Sequence, residues 1–317
     1  MLPASAARTD LISPDQTEIL TRRLYRAVRE RLFRLPDELP VLPTHGAGSF
    51  CSSSAAGEPW TTVGREREAD RLFSLDEDEF VRSFLGGLGS YPHYFLRLRE
   101  VNRRGPRLQG ANWPPLRALP VAEVHRLASS AGATTVDVRP YAEYAAGHVA
   151  GSLSIALRGA FASWLGWLVP GGTSLVFVLN PEQDRAELVR QCLNVGYDEL
   201  LGELEGGVDA WRAAGLPMAT VRLVAATAEP APLTLDVRQR SEYLTAHMVD
   251  SMHVELGSLS QLAADLPRAP ITAYCGHGER AMTAASLLER AGHRDVSVIE
   301  GGLDAWQRMG RPVEAGD

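Results

Sequence analysis

An internal repeat fills most of the last two thirds of this 317-residue chain. The segment TTVDVRPYAEYAAGHVAGSLSIAL, which begins at Thr134, matches LTLDVRQRSEYLTAHMVDSMHVEL, which begins at Leu233. The match resumes further along, where Gly206-Gly207 aligns with Gly301-Gly302 and a tryptophan follows each pair at the same distance. Matching segments that stay in step over this length indicate one structural unit copied in tandem. We therefore expect two copies of one domain, at residues 116–221 and 222–317.

Short apolar runs alternate with helical patterns in each copy. In the second copy the pattern predicts strands at residues 233–237, 271–274 and 296–299, and helices at 279–291 and 302–309. Strands that alternate with helices are typical of an α/β domain, in which helices cover both faces of a mostly parallel sheet. The predicted fold class is therefore α/β, with two similar domains.

Composition excludes several classes of function. The net charge of −7 opposes binding to a phosphate backbone, so we expect no nucleic-acid partner. The chain has three cysteines, Cys51, Cys192 and Cys275. A small and odd number of cysteines argues against a disulfide framework and is typical of proteins in the reducing cytosol. The chain start lacks the pattern of a secretory signal. We predict a cytoplasmic protein.

One uncharged stretch, residues 161–180, has the length of a membrane span. Pro170 and the glycine pair that follows it interrupt this stretch in the middle, and such residues break a helix. A short helix, a turn and a buried strand account for the pattern better. We therefore expect no membrane partner.

A cysteine loop lies between a predicted strand and a predicted helix. Its residues are, in order, Cys275, Gly276, His277, Gly278, Glu279 and Arg280. A helix N-terminus offers free N–H groups and the positive end of the helix dipole, and glycines allow the backbone to turn its amides inward. With the charge of Arg280 added, these features stabilise a thiolate. We expect the sulfur at position 275 to be ionised and reachable from solvent.

Other residues have assigned roles around this loop. The residues from Gly276 to Glu279 are expected to bind an anionic substrate or the persulfide that forms on Cys275. His277 either tunes the thiolate and meets the acceptor or is an exposed spacer. Asp236 and Arg238 are expected to fix the strand-to-loop geometry through charge-assisted bonds, with Glu242 as partner of one of them. A lone cysteine is most often buried and inert, and Cys192, in the middle of a helix, fits that description.

The second copy resembles the rhodanese family over its whole length. The motifs that carry the resemblance are Asp236-Val237-Arg238, Glu242, His247, Cys275 with Gly278 and Arg280, and Gly301-Gly302 with Trp306. The family's Gly-His-x-x-Gly turn is altered, because Ala246 and Asp250 replace its two glycines. The resemblance implies a sulfurtransferase without a cofactor, in which Cys275 and Arg280 are catalytic.

The implied reaction has two steps. The Cys275 thiolate takes a sulfane sulfur from thiosulfate or a low-molecular-weight persulfide, and a thiol or cyanide acceptor then removes it. Phosphatases of the same fold place the arginine one position later, so the shorter loop here disfavours phosphate as substrate. Two alternatives stay open: a relay module that passes sulfur to a partner protein with little small-molecule turnover, and a noncatalytic scaffold.

The first copy lacks the nucleophile, because Asn180 occupies the position of Cys275. Pro181 removes a backbone donor from the loop, and Glu182 and Asp184 add negative charge where an anion would bind. Arg185 is retained, but a carboxamide cannot form a persulfide. We predict that this copy is inactive and serves as support or as part of the wall around the active cleft.

Residues 1–115 resemble the C-terminal part of a metallo-β-lactamase-fold domain, specifically that of persulfide dioxygenases fused to rhodaneses. The residues that carry the resemblance are Arg8-Thr9-Asp10-Leu11, Leu24-Tyr25, Leu35-Pro36-Asp37 and Pro43-Thr44-His45-Gly46-Ala47-Gly48-Ser49. The His-x-His metal motif of that family is absent from the chain, and His45 alone is not a metal site. We predict no metal, and the ancestry implies sulfane sulfur compounds such as glutathione persulfide as substrates.

Overall fold

The computed structural model describes residues 8–42, 60–69, 71–105, 115–130 and 132–316. His45, Cys51 and residues 106–114 lie outside the described residues. The chain divides into two compact units, Met1–Tyr91 and Pro92–Asp317.

The first unit is mainly helical. Its elements are a 3₁₀ turn at Pro14–Gln16, α1 at Thr17–Glu30, a 3₁₀ turn at Leu32–Arg34, β1 at Pro40–Val41, β2 at Thr61–Thr62, α2 at Val63–Ala69, a 3₁₀ turn at Arg71–Ser74 and α3 at Glu77–Gly86. The two short strands pair antiparallel. Phe73, Phe80 and Phe84 form the centre of a small apolar core that α1 and α3 enclose.

The segment that begins at Arg8 is tied to the rest of this unit. The Arg8 guanidinium lies 2.6 Å from the carboxylate of Asp10 and donates to the carbonyl of Gly89. The hydroxyl of Thr9 lies 2.8 Å from that of Thr21 on α1. Hydrogen bonds of this kind satisfy buried polar groups and hold Arg8 and Thr9 against the rest of the unit. The assignment of residues 1–115 to a metallo-β-lactamase-like domain stays a prediction.

The second unit begins with a helix and the first copy of the repeat. Its elements are α4 at Tyr94–Arg104, β3 at Ala118–Leu119, α5 at Val121–Ser129, β4 at Thr134–Asp137, α6 at Tyr141–Ala146, β5 at His148–Val149, β6 at Leu153–Ser154, α7 at Phe161–Leu168, β7 at Leu175–Val178, α8 at Arg185–Asn194, β8 at Leu200–Leu204, α9 at Gly207–Ala213 and β9 at Met218–Ala219. Five strands form a parallel sheet in the order β3-β8-β7-β4-β6. β5 and β9 form an antiparallel pair.

The second copy has the same architecture. Its elements are β10 at Arg222–Val224, β11 at Leu233–Asp236, α10 at Arg240–Thr245, β12 at His247–Met248, β13 at Met252–His253, α11 at Leu256–Leu262, a 3₁₀ turn at Ala263–Asp265, β14 at Ile271–Tyr274, α12 at Glu279–Arg290, β15 at Val296–Ile299, α13 at Gly302–Arg308 and β16 at Val313–Glu314. The parallel order β10-β15-β14-β11-β13 repeats that of the first copy strand for strand. The tandem α/β architecture is therefore confirmed.

Helix α4 packs on the first copy, so the compact unit begins well before residue 116. The Arg97 guanidinium donates to the carbonyls of Val195 and Gly196 at 2.6 and 3.0 Å. The ring of Tyr94 occupies the space over Gly166, where a Cβ would lie 2.3 Å from it. This close approach of α4 to α7 requires a residue without a side chain.

The uncharged stretch at residues 161–180 forms the predicted helix, turn and strand, here α7, Pro170–Gly172 and β7. All four residues of β7 are buried, as expected for a central strand of a sheet covered on both faces. Among the described residues, none of the helices has the length and apolar character needed to cross a bilayer.

The two copies are held together through α12, the helix that follows the cysteine loop. The Ser286 hydroxyl accepts a hydrogen bond from the amide of Ser154 in β6, at 3.1 Å. The Glu289 carboxylate lies 2.9 Å from the His148 imidazole and accepts from the Gly151 amide at the same distance. The first copy therefore fixes the helix on which the candidate site is built.

Candidate active site

The cysteine loop lies at the carboxyl edge of the second parallel sheet. Cys275 follows β14, the central strand, and α12 begins at Glu279. Ligands of open α/β sheets bind at this edge, where the loops between strands and helices meet. The structure therefore brings the six predicted loop residues together at a position suited to a site.

One main-chain donor faces the sulfur. The amide of Gly278 donates to Cys275 Sγ at 3.1 Å. The carbonyls of Cys275 and Gly276 accept hydrogen bonds from the amides of Leu303 and Asp304 at 2.7 and 3.2 Å. The loop thus presents an amide to the sulfur and directs two carbonyls to the N-terminus of α13, as a site that stabilises a thiolate requires.

Two glycines make this arrangement possible. Gly278 has a φ of +118°, a backbone conformation that residues with a side chain rarely adopt. A Cβ on Gly302 would lie 2.3 Å from the Cys275 carbonyl oxygen and 2.5 Å from that of Gly276. The second glycine of the Gly301-Gly302 motif therefore lets α13 approach closely enough to bind the loop carbonyls, a role that the motif alone did not reveal.

Arg280 is bound by Glu242 rather than free beside the sulfur. Its two terminal nitrogens donate to the two Glu242 oxygens at 2.6 and 2.8 Å. Burial opposes the charge of Arg280, but the bonds to Glu242 and the field of Cys275 outweigh it and raise the pKa of this guanidinium. Burial likewise raises the pKa of Glu242, but the bond to Arg280 outweighs it, so the pKa is lowered.

The expected partner of Glu242 was wrong. It was assigned to Asp236 or Arg238, but these two residues bind each other, with Arg238 Nη2 2.6 Å from the Asp236 carboxylate. Arg238 also donates to the carbonyl of Ala246, so the pair fixes the turn after β11 through charge-assisted bonds, as expected. Glu242 binds Arg280 instead.

The altered turn keeps the family's backbone shape. Asp250 has a φ of +59°, and its counterpart Gly151 in the first copy has a φ of +76°. Aspartate is among the few residues that adopt the left-handed region readily. Ala246 has an extended backbone with a φ of −167°, which suits any residue. The two replacements therefore leave the local geometry intact.

The structure contradicts the expectation that the sulfur is reachable from solvent. Cys275 is fully buried, with an exposed fraction of 0%, and Gly276 and Gly278 are buried as well. His277 is the exposed member of the loop, with 73% of its side chain accessible, and its Nε2 lies 3.1 Å from Asp304. The spacer interpretation of His277 therefore agrees with its position.

A residue of the first copy also belongs to the surroundings of the loop. The ring of Tyr141, at the start of α6, lies against Gly278. The repeat gave no signal for this contact, because Tyr141 is not repeated in the second copy. Its counterpart there is Arg240. Cys192 is buried in α8, and burial raises its pKa to about 12, which agrees with an inert thiol.

The corresponding loop of the first copy is organised differently. Asn180 donates from its side chain to Glu143 at 2.7 Å, and Arg185 donates to the carbonyls of Asn180, Pro181 and Gln183. Three carbonyls of this loop therefore face the arginine, whereas two carbonyls of the cysteine loop bind amides at the N-terminus of α13. Among the described residues, no group of three or more histidine, cysteine, aspartate or glutamate side chains is placed to bind a metal.

Known proteins with similar sequences or structures agree with this architecture. The chain is 31% identical over 81 residues, 25% of its length, to the thiosulfate sulfurtransferase GlpE of Pseudomonas savastanoi pv. phaseolicola, of which the match covers 76%. A solved rhodanese-like domain from Anabaena sp. is 32% identical, over 30% of this chain and 79% of that one, with a TM-score of 0.28.

A metallo-β-lactamase from Staphylococcus aureus is also a structural neighbour, with 21% identity over 60% of this chain and 52% of that one, and a TM-score of 0.47. The family model of the rhodanese-like domain matches residues 120–214 and again residues 221–309, which together make up more than half of the chain. The chain therefore belongs to the rhodanese-like family.

Proposed function

We propose that this protein is a sulfurtransferase that carries a sulfane sulfur on Cys275. The observation that supports the proposal most directly is the hydrogen bond from the Gly278 amide to Cys275 Sγ, in a loop whose first two carbonyls bind amides at the start of α13. Family membership and the similarity to thiosulfate sulfurtransferases support sulfurtransferase activity in general. The donor, the acceptor and the roles of individual residues are parts of the proposal.

The proposed reaction proceeds in two steps. The Cys275 thiolate attacks the outer sulfur of thiosulfate, the S–S bond breaks, and sulfite leaves with the electron pair. With a low-molecular-weight persulfide as donor, the leaving group is its thiolate. The acceptor, a thiolate or cyanide, then attacks the outer sulfur of the Cys275 persulfide, and the Cys275 thiolate is released.

The loop contributes electrostatic stabilisation to both steps. A persulfide on Cys275 carries its negative charge on the outer sulfur, within the space that the residues from Gly276 to Glu279 enclose. Fixed donors in a buried site stabilise such charge more strongly than water does, because they need no reorientation. Arg280, which lies beside Gly276, adds a positive charge that Glu242 holds in place.

The second candidate is a relay in which Cys275 takes up sulfur from a donor and delivers it to a partner protein, with little transfer to small acceptors. The complete burial of Cys275 favours it, because a partner could open the loop that solvent does not reach. In that case a stable persulfide would accumulate in the isolated protein, and small acceptors would remove it poorly. We expect the reducing cytoplasm as location, since the two described cysteines, Cys192 and Cys275, are unpaired thiols.

Intact-mass measurement tests the proposal. The full chain is exposed separately to thiosulfate, polysulfide and glutathione persulfide, and the number of sulfur atoms added is measured. We expect one sulfur atom on Cys275, formation of thiocyanate when cyanide follows, and loss of both in Cys275→Ala. The matched control is Cys51→Ser, which should behave as the unmodified protein.

The outcomes separate the candidates. A stable added sulfur with negligible thiocyanate formation would favour the relay. A chain that gains no sulfur from any of the three donors, or gains it equally after Cys275→Ala, would contradict both.

A further inference from the structure

Tyr141 belongs to the copy that lacks the nucleophile, but its side chain contacts the loop of the copy that has one. A Cβ built on Gly278 would lie 2.9 Å from Tyr141 Cζ and 3.1 Å from its hydroxyl oxygen. The phenol end of the ring is therefore in contact with the residue whose amide binds Cys275 Sγ.

The charged groups around the Tyr141 hydroxyl also place it beside the cysteine loop. Burial raises the pKa of the Tyr141 phenol, and a hydrogen bond with the backbone of Gly301 lowers it. The negative charges of Glu300, Glu279 and Cys275 also raise this pKa. These groups belong to the cysteine loop, to the start of α12 and to the turn before α13. Because charge effects fall off with distance, the hydroxyl lies within reach of all three.

The ring lies against a loop whose sulfur solvent does not reach. Cys275, Gly276 and Gly278 are all buried, although the loop lies at the edge of the sheet and His277 beside them is exposed. With Tyr141 against Gly278, Cys275 has an exposed fraction of 0%.

A pocket next to Tyr141 gives the ring a place to move. It has a volume of about 480 Å³, and Tyr141 itself forms part of its wall together with Ala226, Ala305 and Met309. Met309 is 55% exposed, so the pocket lies at the surface. A rotation about the side-chain bonds of Tyr141 requires no backbone movement, and rotations of this kind in partly exposed residues are fast.

We propose that Tyr141 is a specificity-determining residue that controls which sulfur donors reach Cys275. This proposal rests on the proposed function of Cys275. With the ring over Gly278 the loop is closed, and with the ring in the adjoining pocket the sulfur is open to donors. A small anion such as thiosulfate needs a narrower opening than glutathione persulfide, so the residue selects against bulky donors. The copy without a nucleophile thereby supplies the gate of the copy that has one.

Removal of the ring tests this directly. In Tyr141→Ala and Tyr141→Leu the side chain no longer reaches Gly278, whereas Tyr141→Phe keeps the ring in place. The matched control is Glu143→Ala, two residues along the same helix, because the Glu143 carboxylate binds Asn180 in the first copy. The first readout is the rate at which iodoacetamide alkylates Cys275 in the full chain, followed on the Cys275 peptide by mass spectrometry.

We expect alkylation to be about tenfold faster in Tyr141→Ala and Tyr141→Leu, because the apparent rate scales with the fraction of open loop. Tyr141→Phe and Glu143→Ala should stay near the unmodified protein. The second readout is the rate of persulfide formation with glutathione persulfide divided by that with thiosulfate. This ratio should rise about fivefold or more in the two ring-free variants, if the bulky donor needs the wider opening.

The outcomes distinguish the gate from the proposed function. Unchanged alkylation and an unchanged donor ratio in both ring-free variants would overturn the gate. If the ring-free variants are alkylated faster but no variant takes up sulfur from any donor, the gate stands and the sulfurtransferase proposal fails. Melting temperatures of the four variants show that each is folded, and Tyr141→Leu keeps the test decisive should Tyr141→Ala unfold.

Discussion

Arg280 and Glu242 form a two-bond ion pair next to the cysteine loop, with distances of 2.6 and 2.8 Å between the paired atoms. The Arg280 side chain is 16% exposed and that of Glu242 is 37% exposed. The pair crosses from α10 to the first turn of α12, so it connects the two chain segments that enclose the loop. In the first copy the counterparts Arg185 and Glu143 bind other residues instead.

Glu242→Gln should lower the rate of sulfur transfer by about tenfold, because Arg280 loses the planar two-bond contact that fixes its position beside the loop. We expect a loss of about 1 kcal/mol in the free energy of unfolding at pH 7, since the exposure of Glu242 screens the pair. Glu143→Gln is the matched control, because Glu143 occupies the equivalent position in the first copy, and it should leave the rate of sulfur transfer unchanged.

The same pair has a predicted pH dependence. The pKa of Glu242 is lowered in the folded protein, so its contribution to stability is present above the unfolded value of about 4.3 and is lost as the pH falls through the folded value. Melting temperatures of the unmodified protein and of Glu242→Gln should therefore differ at pH 7 and converge towards pH 3. A constant difference over this range would contradict the assignment of the ion pair.

Gly302→Ala should abolish most of the activity and destabilise the second copy. The new Cβ would overlap the carbonyls of Cys275 and Gly276, and the residue would hold a φ of +60°. Gly310→Ala is the matched control: Gly310 has a φ of +69°, but no atom lies within 4 Å of its Cβ position. The control measures the conformational cost alone, about 1 kcal/mol.

Gly302→Ala should therefore melt at a clearly lower temperature and form the persulfide much more slowly than Gly310→Ala. A Gly302→Ala protein that melts and reacts like Gly310→Ala would show that the close approach of α13 to the loop carbonyls is dispensable.

Asn180→Cys, introduced into a Cys275→Ala background, should not restore sulfur transfer. In the first copy Arg185 donates to three carbonyls of its own loop and to Glu203, whereas Arg280 donates to a carboxylate of the helix α10, so the two arginines are held differently. Glu182 and Asp184 add negative charge, which opposes an anionic donor. Intact-mass measurement with thiosulfate is the readout, and an added sulfur at position 180 would contradict the prediction that the first copy is inactive.

The repeat was sufficient to predict the fold of the two copies. The strands predicted at residues 271–274 and 296–299 have the observed bounds, because they are apolar runs of the length that buried parallel strands require. The edge strand β10 and the antiparallel pair of β12 with β16 were missed. Segments of two or three residues with mixed exposure carry no periodic pattern, and tertiary pairing alone makes them strands.

The candidate site was predicted in part. The residues from Cys275 to Arg280 are consecutive in the chain, so their position in one loop could be predicted from the local sequence. The pairing of Glu242 with Arg280 joins residues 38 positions apart, and two arginines of equal charge competed for one carboxylate. The contact of Tyr141 with Gly278 depends on how the two copies pack, which no pattern within either copy encodes.

Glu289→Gln should weaken the support that the first copy gives to α12. The Glu289 carboxylate binds the buried imidazole of His148 and the Gly151 amide, and its side chain is 26% exposed. Burial raises the pKa of Glu289, but the bond to His148 outweighs it and the pKa is lowered, so this stabilisation is present above about pH 4.3 and is lost at lower pH. We expect a loss of about 1–2 kcal/mol in the free energy of unfolding at pH 7 and a smaller loss at pH 4. Glu199→Gln, at an exposed position of the first copy, is the matched control. If Glu289→Gln unfolds like this control and transfers sulfur at the unmodified rate, the first copy does not support the helix of the candidate site through this contact.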